Sequence, residues 1–239
     1  MRCVFKFIMK IISCVYFFLL LKTCLANENL EVLAYKKEIT KNYYLLLQAN
    51  SDLHSELSNF CSYENVKINK SKEKFINFLS LWTNLQYITF GPINDFNNYS
   101  RIQFWPDKRG VTNRQFLKNT KIKSKELLDF SMLANKSVAL QGIPVLERII
   151  YDELSKKKNL ANKKFFCKYG TSILKNLETI FRYVYEGWQN DEYFYEYIDE
   201  DLILSEFFNS ALSYIEFIKN YKIFKIKKDE KTPNFKKSE

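Results

Sequence analysis

QGIPVLERII, residues 141–150, is the stretch on which the reading of this chain turns. Placed on a helix, Leu140, Pro144, Glu147 and Tyr151 fall on one side, at spacings of four, three and four residues. A carboxylate therefore stands in an otherwise apolar stripe. Val138, Val145, Leu146, Ile149 and Ile150 make the other faces apolar too, the pattern of a helix inside a core. Pro144 has no N–H, and its ring crowds the residue four earlier. A continuous helix over about 136–154 would kink there and leave the Leu140 carbonyl without its usual partner. The alternative is a new helix beginning at Pro144, just after Gly142. In either case Glu147 lies within one turn of a break in backbone hydrogen bonding, and a buried carboxylate there needs a donor or a cation.

Working outward, the chain reads as helix on both sides. Only 5 Gly and 4 Pro occur in 239 residues, which favours long helices over an all-β design. Leu46, Leu53, Leu57 and Phe60 recur at helical spacing and predict a first long helix over 27–60, ending near Cys61. Phe75, Phe78, Leu79, Trp82 and Leu85 mark a second helix, stopped by Gly91-Pro92. Across 91–111 the periodicity disappears, and an ordered loop is expected because Ile93, Phe96, Ile102, Phe104 and Trp105 need burial. Short helices follow at 112–117 and 124–133. Tyr169, Ile173, Leu177, Ile180 and Val184 then make one face of a helix over 162–188, with Gly170 permitting close packing. A last helix over 202–221 is expected to turn Phe208, Leu212 and Ile215 inward, with Phe217 or Ile218. The fold class is all-α, a helical bundle with one irregular ordered loop at about 91–111.

Three blocks in order carry a family resemblance: FGPINDFNNYSRIQFWPDKRGV (90–111), KSVALQGIPVLERIIYD (136–152) and a helix containing Cys167. Together they resemble the imelysin-like family, also called peptidase M75-like, over roughly 30–225. The resemblance implies an all-helical, bundle-like protein outside the cytoplasm, linked to uptake of iron or another metal, whose members usually continue with further helices where this chain ends in a lysine-rich tail. The family signature is GxHxxE, with His and Glu as suspected metal ligands. Gly142 and Glu147 match it, and Pro144 stands at the His position. That departure removes a residue on which both metal binding and peptidase activity would depend.

The remaining signals bound the function. Residues 1–26 have a basic start, an apolar run over 11–21 and Cys24-Leu25-Ala26, as in a cleaved signal peptide. A lipoprotein acylated at Cys24 and an uncleaved anchor over 5–21 are the alternatives. Export to the periplasm is the expectation, with 27–221 as the helical domain and 222–239 as a basic, disordered tail. Removal of the first segment leaves Cys61 and Cys167. An even pair in an exported chain argues for one disulfide, and the resemblance agrees; two buried thiols is the other reading. The formal charge of +10 is partly that of Arg2, Lys6, Lys10 and Lys22 in the presequence, and no Arg cluster interleaved with aromatics suggests nucleic acid. His54 is the only histidine, so no His-based metal or catalytic site can be assembled, and it is expected at the surface or at a helix seam. Arg101 and Arg109 are candidate ion-pair partners of Glu147, and Asp107 and Gln141 further ligand candidates. Glu192, Glu196, Asp199, Glu200 and Asp201 form an acidic connector. No phosphate loop, nucleophile elbow or HExxH occurs. The expected function is an exported, non-catalytic binding protein associated with iron or other divalent-metal uptake, working with metal-uptake components. A metal-dependent peptidase and an interaction module requiring a partner are the alternatives.

Overall fold

The computed structural model describes residues 2–155, 160–190 and 200–223, with side chains from Val32 apart from those of residues 200, 201 and 222. Its helices are α1 (Arg2–Ser62), α2 (Asn69–Thr83), α3 (Asn98–Ile102), α4 (Val111–Lys121), α5 (Phe130–Ala134), α6 (Ile143–Arg148), α7 (Leu160–Gln189) and α8 (Glu200–Phe217). Short 3-10 turns lie at Gly91–Asn97, Lys125–Leu128 and Val138–Leu140, and π turns at Ile149–Glu153 and Ile218–Ile223. No strand occurs among the described residues, and the class is all-α as the periodicity predicts. The acidic connector and the basic tail fall largely outside the described residues. The expected presequence occupies the start of α1, before the described side chains. Among the described residues no helix is long and apolar enough to cross a membrane.

Helices α1 and α7 run together as the spine, and α2 packs on α1. Tyr43, Leu46, Leu53 and Leu57 of α1 meet Phe75, Phe78 and Trp82 of α2 and Ile173, Leu177, Phe181 and Val184 of α7 in one buried cluster. Each such side chain contributes roughly 1.5–3 kcal/mol by leaving water. The apolar face expected on α7 is the one that is buried. Gly170 lets α1 come close: a Cβ there would stand 3.0 Å from Leu57 Cδ2. The spine is also tied covalently, because Cys61 at the end of α1 and Cys167 near the start of α7 form a disulfide across 106 residues.

The structure departs from the sequence reading in several places. Helix α2 ends at Thr83 rather than at Gly91-Pro92, and turns closed by Leu85 N–H to the Trp82 carbonyl and Ile88 N–H to the Leu85 carbonyl follow it. These turns let Leu85, Ile88 and Phe90 all face the core, which a straight helix would not. The helix expected over 124–133 is split, because Asp129 accepts from the Ser131 and Met132 amides and starts α5 afresh. The loop at 91–111 holds two short helical pieces, with Phe96 and Asn97 both left-handed and a cis Trp105–Pro106 bond. Ile93 and Ile102 are buried as expected, but Phe96 is 74 % exposed, its ring against Tyr183. On α8, Ile203, Phe207 and Ser210 point inward, whereas Phe208, Leu212 and Ile215 point to solvent. The helix is apolar on two sides, and periodicity alone picked the wrong one.

Candidate functional site

The expected helix over 136–154 is broken at Gly142, the second of the two arrangements open at Pro144. A 3-10 turn covers Val138–Leu140, and α6 begins at Ile143 with Pro144 in its first turn. Gly142 has φ +84° and ψ −174°, a conformation essentially reserved for glycine. It lies directly on the end of α3, where a Cβ would run into the Arg101 and Ile102 carbonyl oxygens. The Leu140 carbonyl, orphaned by the break, accepts a 2.6 Å hydrogen bond from the Tyr169 hydroxyl of α7. Burial raises the Tyr169 pKa far above its ordinary value, which keeps it a donor.

Around this break lies a cluster of amides and one guanidinium. Gln141 is buried. Its Oε1 accepts from Asn176 Nδ2 at 2.8 Å and from Arg101 Nε at 3.4 Å, and its Nε2 donates to the Lys136 carbonyl at 2.7 Å. Arg101 further donates to Asn98 Oδ1 at 3.2 Å and Asn176 Oδ1 at 3.0 Å. Each of these acceptors is neutral, and partial burial lowers the Arg101 pKa from its usual value, though a guanidinium stays charged. The cluster joins α3, the 141–142 turn and α7. Asn50 of α1, donating to the Leu174 carbonyl, and the Trp82–Gln103–Gln86 bonds support it from the sides.

The sequence-selected residues thus separate into different places. Arg101 and Gln141 meet each other, and the hydrogen bonds of the Arg101 guanidinium go to Gln141, Asn98 and Asn176. Glu147 is half-buried on α6, with Pro144 also half-buried one turn before it. Asp107 accepts from the Val111 and Thr112 amides at 2.8 and 2.7 Å and caps α4. Burial alone would raise its pKa, but these backbone bonds hold it below the ordinary carboxylate value. Arg109 is exposed, its carbonyl accepting from the Arg114 guanidinium. His54 lies half-buried at the seam with α7, its pKa lowered first by burial and then by Lys175, with Glu178 opposing. Asn98, Asn176 and Gln103 were missed; Asn176 was legible as the polar exception between Ile173 and Leu177.

The iron or other metal that the resemblance implies does not fit these side chains. Pro144 offers no donor atom, His54 is on α1 beside Lys175, and no group of three or more His, Cys, Asp or Glu residues able to hold a metal is present among the described residues. An amide and guanidinium cluster orients backbone; it supplies neither a nucleophile nor a group that exchanges protons near neutral pH.

The comparisons agree with the fold. The family model for Imelysin, peptidase M75, matches residues 39–238. An imelysin-like protein from Psychrobacter arcticum 273-4, known by crystal structure, superposes with a TM-score of 0.69 at 22 % identity, covering 81 % of this chain. The match covers 61 % of that protein's length. No curated protein matches the chain. With most of its length matched by the family and its helices arranged as in a solved relative, the chain belongs to the imelysin, or peptidase M75, family.

Proposed function

We propose that this family member is an exported, non-catalytic binding protein that serves metal uptake through contact with other components of the uptake system, without a metal ion of its own. The observation that supports this is Pro144. It fills the signature His position at the start of α6, and no second ligand set takes over among the described residues. The link to metal uptake and the export come from the family resemblance and the N-terminal segment. A peptidase of this family would need a metal-activated water, and among the described residues no group of three or more His, Cys, Asp or Glu residues could hold that metal.

The test is elemental analysis of the purified chain with calorimetric titration of ferrous, ferric, zinc and copper ions. No stoichiometric binding is expected. Stoichiometric binding lost in Glu147→Ala would overturn this reading in favour of a metal carrier, and chelator-sensitive cleavage of an unfolded protein substrate would overturn it in favour of a peptidase.

A further inference from the structure

A groove separate from the break at Gly142 lies between α1, from Leu33 to Tyr44, and the end of α7. Its volume is about 680 Å³, within the roughly 300–1,000 Å³ of small-molecule sites. Leu33, Lys37, Lys41 and Tyr44 border it from α1, and Tyr185 from α7. Half-buried Lys36 and fully buried Trp188 border it too and have contacts of their own. Leu33 and Tyr44 are 58 % and 49 % exposed. The Tyr44 and Tyr185 rings, one from each helix, lie with centroids 6.1 Å apart. The wall is therefore apolar and aromatic, with polar groups at a few points.

Those polar groups suit negative charge. Among the described residues no carboxylate borders the groove. The Tyr44 hydroxyl accepts from Gln48 Nε2 at 2.9 Å and the Tyr185 hydroxyl from Gln189 Nε2 at 2.8 Å. Each hydroxyl therefore keeps its own proton to donate. Lys37 and Lys41 are both exposed and lie one turn apart on the same face of α1. Lys41 touches Glu38 at 3.5 Å, with the two side chains 62 % and 61 % exposed. So long and solvated a contact is worth little and yields to a better-placed anion. We propose that the groove binds a small organic anion with an aromatic body, its ring laid against Tyr44, Tyr185 and Leu33 and its acid group held by Lys37 and Lys41. The aromatic wall takes the flat apolar part, and ammonium groups and hydroxyls, all donors, select the charged end. A bilayer surface suits the groove poorly, because lipid-binding basic segments carry about four to eight Lys or Arg, and three lysines border this one.

The groove shares no residue with the break at Gly142, so this proposal stands or falls apart from the function proposed above. The probe is anilinonaphthalene sulfonate, an aromatic anion whose fluorescence rises on binding, titrated into the purified full chain. One saturable site is expected. Lys37→Gln with Lys41→Gln should weaken it by about tenfold or more, and Tyr44→Ala should weaken it as well, with helicity by circular dichroism unchanged in each. The control is Lys118→Gln with Lys121→Gln, two exposed lysines of α4, which should leave the affinity as it is. Uncharged phenylnaphthylamine, of similar shape, should bind about tenfold more weakly than the sulfonate. Absence of saturable binding, equal losses in the two lysine pairs, or equal affinity for the uncharged probe would each overturn the proposal.

Discussion

At the scale of single residues, Gly142 decides the local structure more than Pro144 does. Proline alone permits a kinked helix, and the positive φ at Gly142 rules that out by turning the chain onto the carbonyls that end α3. Gly142→Ala combines a strained backbone, itself about 1–3 kcal/mol, with a clash against main-chain atoms that no rotamer change can relieve. A loss of about 3 kcal/mol or more is expected in urea unfolding; a loss under about 1 kcal/mol would mean that the turn relaxes without penalty. The glycine was visible in the sequence, but its role was not. A glycine before a proline reads equally well as a helix stop or as a flexible link, and only the approach of residues 101–102, forty positions away, selects the first.

At the scale of elements, the helices that held their predicted faces are those buried on one side only. Helix α7 alternates apolar and polar residues at helical spacing, so its inward face was legible. Helix α8 carries Ile203 and Phe207 on one side and Phe208, Leu212 and Ile215 on the other, and no periodicity argument separates two apolar stripes. The choice is made by Phe90, Tyr35 and the 87–89 backbone, which bind the first stripe. Helices α1 and α7, the pair that builds the core, are held by the Cys61–Cys167 bridge. Closing a loop of 106 residues restricts the unfolded chain by roughly 4–5 kcal/mol in the chain-entropy view. Cys61→Ala with Cys167→Ala is therefore expected to lower stability by about 2–5 kcal/mol while leaving the helical circular dichroism intact at low temperature. An unchanged unfolding midpoint would show that packing alone fixes the two helices.

At the scale of the whole molecule, the seam between α1 and α7 gives stability a pH dependence. The folded state lowers the His54 pKa below its ordinary 6.5, so as pH falls through that value the unfolded chain takes up a proton that the folded chain holds off. Stability is full above about pH 6.5 and declines below it, until the folded-state pKa is passed. Asp107, also lowered, acts in a separate window below its ordinary 3.8. His54→Gln is expected to flatten the change in urea midpoint between about pH 7.5 and about pH 5.5 without altering the acid limb. A slope identical to that of the wild type would remove His54 as its source. What the sequence by itself determined is the all-α class, the family and the Pro at position 144 of its GIPVLE stretch, because composition, periodicity and motif spacing are local properties that survive translation into any packing; the Cys61–Cys167 bond was one of two readings until the fold brought the two residues together. The tertiary structure alone decided that Arg101 turns to Gln141 and Asn176, that Asp107 caps a helix, and that the second stripe of α8 faces water. Those outcomes depend on which distant backbone atoms and side chains arrive first within hydrogen-bond or van der Waals reach, and no local pattern encodes that.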